Sequence, residues 1–349
     1  MPHWLWGGIV IIAYALGSSI RTNILFVEPL LEGNKNTSYF IRVLEDLSRP
    51  VLGLAYVISI AFYLKLLSAF ALRGFGVSSV VLENSLTTAL LLFIGITGKL
   101  KGLSKLELLE TYSVNIKLSI IVALIFGHIY FNFYSLFNGQ WQLLVFPHEE
   151  MATTIQKLLG MLIIIQGFET SRYLGRDYSR DVRIQTMKNA QIISGVIYVV
   201  FITSTLTAFN HVHALGETTV IDVCRTIAPI LPALIIIAAV MSQFSAAVAD
   251  TIGSGGLLAE GMRDKITTKT SYLLITLIGV ILTWLTNIYT IITFASKAFA
   301  IYYAMQLVLS TLVLLKQKSN GARYIKIILY LLLTILMVAV VLFGIPVKE

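Results

Sequence analysis

Charge is scarce in this 349-residue sequence: Asp, Glu, Lys and Arg make up 13% of it, against 57% hydrophobic residues and a mean hydropathy of +0.83. Soluble domains carry about 25% charged residues, so a water-soluble globular enzyme is excluded. Cysteine is scarcer still. Cys224 stands alone, which rules out an intramolecular disulfide and leaves no cysteine pair at zinc-ligand spacing. The opening MPHWLWGG lacks the basic n-region of a signal peptide, so the apolar run behind it reads as a span. No HExxH, GxSxG or paired-aspartate motif falls in an apolar run, and no enzymatic activity is expected. The GSGG at 253–256 has no Lys-Ser or Lys-Thr behind it, which sets aside a phosphate loop.

Long apolar runs are abundant. A hydrocarbon core of about 30 Å is crossed by about 20 apolar residues, and ten runs qualify: 4–24, 51–72, 77–96, 116–137, 155–168, 190–209, 227–249, 272–287, 288–315 and 325–345. The ninth abuts the eighth, which demands a very tight turn at Asn287. The expected fold is all-α: a polytopic membrane protein of about ten transmembrane helices in a single domain, with the lipid bilayer as its first partner.

The formal net charge of +8 and the pI near 9.4 would point to nucleic acid in a soluble domain. Here the positions matter more. With Lys65, Lys117 and Lys297 set aside as lying in or beside spans, alternating the loops puts nineteen Lys and Arg on one side and four on the other. Basic loops stay cytoplasmic, so the charge is a topology signal and no nucleic-acid partner is expected. Both termini then face outward. A bacterial inner membrane is the expected location.

The fifth run is short and polar-flanked. KLLGMLIIIQGF meets Glu169 after about a dozen residues, and ETSRYLGRDYSRDVR follows. A helix that stops short at Gly167 exposes backbone groups at membrane depth, which is tolerated where they line a cavity. The bland reading is an early exit with Glu169 at the interface, paired with Arg172. In SQFSAAVADTIGSGG, Ser242 and Ser245 share a helical face, and their hydroxyls suit a small hard cation; ordinary helix packing is the alternative. Asp250 is a costly carboxylate near the membrane interior, functional by default unless it lies at the boundary beside Arg263.

Lys117 either snorkels to water or supplies an ammonium in place of a cation. Lys65 and Lys297 lie deeper and should face a cavity or a carboxylate, with Glu83 a candidate partner. His148, Glu149, Glu150, His211 and His213 fall in outer loops and read as solvated.

Taken together, GFE at 167–169 in a broken span, the basic stretch to Lys188, AQIISGVIYVVF, SQFSAAVAD and GLSKLELLETYSVNIKLSIIVALI resemble the amino acid/polyamine/organocation (APC) transporters. The resemblance implies the leucine-transporter fold, two inverted five-helix repeats with broken first and sixth helices. Residues 1–137 would match helices two to five, 151–315 helices six to ten, and 325–345 an eleventh. The family's first helix has no counterpart, so the inverted repeat is expected to be incomplete at the amino terminus.

On that reading the function is secondary active transport of amino acids or related amines by alternating access, coupled to protons or sodium. The alternative is a scaffold that no longer transports: a sensor, a partner subunit or an inactive truncated transporter. Gln166, Gly167, Phe168 and Glu169 would form the sixth-helix part of the substrate site, with free backbone amides facing an anionic group and Phe168 as a gate. Ser242 and Ser245 would match the cation side on the eighth helix, with Asp250 nearby and Lys117 able to stand in for sodium. No other cofactor or metal is expected.

Overall fold

Inside a hydrocarbon layer every backbone N–H and C=O must be paired within the chain, and a helix does so within one segment. The computed structural model describes residues 4–33, 38–142, 150–161, 166–175, 178–211, 216–261, 265–317 and 321–347, without the side chains of 4–6, 104–113 and 211. In it the apolar runs are helices: α1 (Trp4–Glu32), α2 (Tyr39–Gly74), α3 (Val80–Lys101), α4 (Ser104–Phe137), α5 (Met151–Gly160), α6 (Arg180–Thr205), α7 (Thr219–Ile227), α8 (Leu231–Gly261), α9 (Thr268–Leu285), α10 (Ile288–Leu315) and α11 (Gly321–Phe343). No strand occurs among the described residues. Nine of these helices are long and apolar enough to cross a membrane. The tenth expected span is the broken one.

Several helices outrun their apolar stretch. α2 begins at Tyr39, three turns before the expected 51, α6 begins at Arg180 rather than 190, and α8 continues to Gly261 rather than 249. Hydropathy marks only the part of a helix that sits in hydrocarbon; the polar turns beyond it stay helical because ion pairs and caps hold them. Ser179 caps α6 by accepting from Val182 N–H, and Arg183 in its first turns makes a two-pronged pair with Glu28 of α1, at 3.0 and 2.7 Å. The GSGG stretch is likewise helical, inside α8.

The tight turn at Asn287 forms as expected. α9 ends at Leu285 and α10 starts at Ile288, with Asn287 Oδ1 accepting from Thr290 N–H at 2.8 Å. Lys65 completes it from α2. Its Nζ donates to the carbonyls of Thr283 (3.2 Å) and Thr286 (2.9 Å), which the end of α9 leaves open. This lysine caps a helix C-terminus, where positive charge is favoured, and it also feels the Glu83 carboxylate.

Small residues set the close approaches. Ser254 Oγ donates to the Gly53 carbonyl at 2.9 Å where α2 and α8 cross. The Tyr272 ring of α9 lies between Gly98 of α3 and Gly255 of α8, where a Cβ on either glycine would strike it. The helices α2, α3, α8 and α9 thus form one packed unit. On another side, the Gln191 amide of α6 lies directly over Gly17 of α1 and donates to the Ala13 carbonyl at 2.8 Å. A fully buried network of Asn23, Gln306, Ser310 and Ser48 ties α1 to α10 and α2.

Cys224 of α7 is fully buried against α4 and α8, and burial pushes its thiol up to about 12. The reactive species is the thiolate. A thiol held that high stays protonated through pH 7–9, so maleimide should leave the folded protein unlabelled and react fully once SDS unfolds it. Rapid labelling of the folded chain, measured by mass spectrometry, would contradict this packing.

Candidate functional site at the broken span

The regular helix of the broken span ends at Gly160, with Met161 N–H bonded back to the Leu158 carbonyl. That is earlier than the expected stop at Gly167; residues 162–165 lie outside the described ones. The chain is next described at Gln166. Gly167 has φ +110°, a left-handed backbone that suits glycine, and a 3₁₀ turn follows over Phe168–Tyr173. The two halves of the span therefore never join into one continuous helix.

Glu169 sits in this turn and is fully buried. Its Oε1 accepts from the Tyr56 hydroxyl of α2 at 3.0 Å, and its Oε2 accepts from the Tyr303 hydroxyl of α10 at 2.9 Å and from the Gly167 N–H at 2.8 Å. A buried carboxylate is tolerated when donors surround it. The early-exit reading would leave Glu169 solvated, whereas protein encloses it. Arg172 does not pair with it either: its NH2 lies 2.8 Å from Oε2 of Glu45 on α2, with both side chains almost wholly buried. The backbone amide expected to face an anionic solute is held, at Gly167, by the chain's own carboxylate.

Aromatic rings wall the carboxylate. Phe168 stacks on Tyr303 with centroids 5.6 Å apart and planes 11° apart, and Phe299 stands edge-on to Tyr56. Gln166 donates through Nε2 to the Tyr63 hydroxyl, while its Oε1 is buried without a hydrogen-bond partner among the described residues. Two cavities meet at the break. One of about 670 Å³ lies between α1 and α6 and is lined by Gln166, Gly167 and Phe168; the other, about 760 Å³, lies between α1, α2 and α8 and reaches Tyr56. Thr170 contributes to both walls.

Of the α8 residues, Ser245 and Asp250 are buried and Ser242 is half-buried. Asp250 is within electrostatic reach of Tyr56, Tyr63 and Tyr303, the same tyrosines that face Glu169. Lys117 is half-buried on α4, a helix that packs on α8 through Ile120 and Leu124. Glu150 is exposed just before α5, whereas His148, Glu149, His213 and Arg263 lie outside the described residues, as does the side chain of His211. Among the described residues no cluster of three or more His, Cys, Asp or Glu side chains gathers as a metal site.

Tyr56, Tyr303, Tyr63 and Glu45 are the residues the sequence reading passed over. Tyrosines deep in apolar runs were the available signal, since a buried phenol needs a hydrogen-bond partner.

A family model described as an APC superfamily transporter matches residues 3–344. The chain belongs to that superfamily. A protein of Aquifex aeolicus (strain VF5) called only an uncharacterized protein is 42% identical over 342 residues, covering 97% of this chain and 82% of its own length. As an APC superfamily transporter the chain is an integral membrane protein that handles a small-molecule solute.

Proposed function

We propose that this transporter carries amino acids or related amines by secondary active transport, and that Glu169 holds the solute's ammonium group. The observation that carries the reading is a buried carboxylate at the break of a membrane helix, with a second buried carboxylate, Asp250, on α8. Gln166, which lines the first cavity, adds a buried Oε1 without a hydrogen-bond partner among the described residues, and acceptors of this kind suit a protonated amine. Phe168 and the stacked Tyr303 form an apolar wall that also serves as a gate.

The reading couples transport to protons or sodium, with Ser242, Ser245 and Asp250 of α8 as the cation side and Lys117 as an ammonium that replaces a metal ion. It places the chain in a bacterial inner membrane with both termini outside, in keeping with the nineteen-to-four distribution of basic residues. The test is uptake into proteoliposomes of a radiolabelled panel: neutral, acidic and basic amino acids, amines without a carboxylate, and carboxylates without an amine. Amines or amino acids should accumulate above protein-free vesicles, and collapse of uptake by either a protonophore or sodium removal identifies the coupling ion. Uptake confined to solutes lacking an amine would sink the assignment of Glu169.

A further inference from the structure

The two halves of the broken span both touch α10 but differ in their other neighbours. The 3₁₀ turn packs against α1 and α6, and Arg183 of α6 fastens it by donating to the carbonyls of Ser171 and Arg172 at 3.2 and 2.9 Å. α5 instead packs against α11 and α10. Its closest contact is with the residues that follow α11. Ile345 N–H donates to the Gln156 carbonyl at 3.2 Å, and the Gly160 backbone lies so near the Ile345 carbonyl that any Cβ there would collide with the oxygen. Gly344 approaches from the same side: a Cβ on it would stand 3.3 Å from Gly160 N and 3.4 Å from Gly160 Cα.

Helices packed through side chains keep their axes about 8–10 Å apart, so backbone meeting backbone is a different kind of joint. It requires glycine at 160. α5 has ten residues, too few to hold helical structure alone, and its position depends on what seats it. We infer that Gly344 and Ile345 are a seat for α5, and that Gly160, Gly344 and Ile345 are positioning residues for the break. Through this seat α5 is tied to the end of α11, while the turn carrying Glu169 is tied to α1, α2, α6 and α10.

Amide hydrogen exchange of the full chain in lipid nanodiscs, read by mass spectrometry, tests the seat independently of any solute. In the wild-type chain, the amides of 157–160 and of Ile345 should exchange at one common rate, because one opening exposes both. Ile345→Pro removes the donor, and Gly160→Ala drives a methyl into the carbonyl. Both should speed exchange over 151–161 on the order of tenfold, a change one backbone hydrogen bond allows, while α10, α11 and the 168–173 turn keep wild-type rates. Ile345→Ala keeps the N–H and should match wild type. An Ile345 amide that exchanges as free chain in the wild type, unchanged α5 rates in both variants, or equal acceleration across α10 and α11 would overturn the seat. Uptake reads Glu169 and exchange reads the seat, so either can fail without the other.

Discussion

Glu169→Gln is expected to lower uptake by roughly 10- to 100-fold while the protein remains folded. A hydrogen bond to a charged group is worth about 1.5–3 kcal/mol, and tenfold corresponds to about 1.4 kcal/mol, so losing the carboxylate's charge toward an ammonium falls in that range. The amide also changes the local pairing. Its oxygen still accepts from Tyr56, and the Tyr303 hydroxyl can turn to accept from the new NH2, but the Gly167 N–H loses its acceptor on Oε2. That orphaned donor costs about 1–3 kcal/mol and should lower the melting temperature modestly. Glu169→Asp keeps the charge but shortens the reach, and should recover part of the uptake. Uptake by Glu169→Gln equal to wild type, at equal amounts of inserted protein, would remove Glu169 from the solute site.

Arg172→Met should destabilise the fold by about 3–5 kcal/mol, the cost of leaving one member of a buried ion pair without its partner. Both side chains are almost wholly buried, at 1% and 4% exposure, so solvent does little to screen the charge left on Glu45. Arg49 lies 3.9 Å from the other oxygen of Glu45, half-exposed, and only partly replaces the lost guanidinium. Glu45→Gln combined with Arg172→Met should be markedly more stable than the sum of the single variants, since it removes both charges. Thermal denaturation in detergent measures the cycle. Additive single effects would show that the pair is not coupled as its 2.8 Å contact implies. Arg172 also has two buried nitrogens without hydrogen-bond partners among the described residues, so the site gives little compensation beyond Glu45.

The broken span shows how far sequence reading reaches. A dozen apolar residues ending in Gly-Phe-Glu were enough to mark an interrupted helix, because a span too short for the bilayer is visible in composition alone. The partner of its carboxylate was not. Arg172, three residues on, was the natural local candidate, yet the turn sends it to Glu45, 127 residues away, and brings in Tyr56 and Tyr303. Lys65 shows the same thing in another place: its depth was legible, but its role as a cap on α9 depends on two carbonyls more than 200 residues distant.

By itself, then, the sequence determined the membrane class, the rough position of the spans, the turn at Asn287 and the fact that the span before Glu169 is interrupted. Those properties depend on hydropathy and on local backbone chemistry, which act over a few turns. Tertiary structure decided which side chains meet Glu169, which helices touch each half of the broken span, and why glycine is required at 160. These depend on contacts between segments far apart in the chain, and helix packing that brings a backbone against a backbone leaves no periodic mark in either sequence.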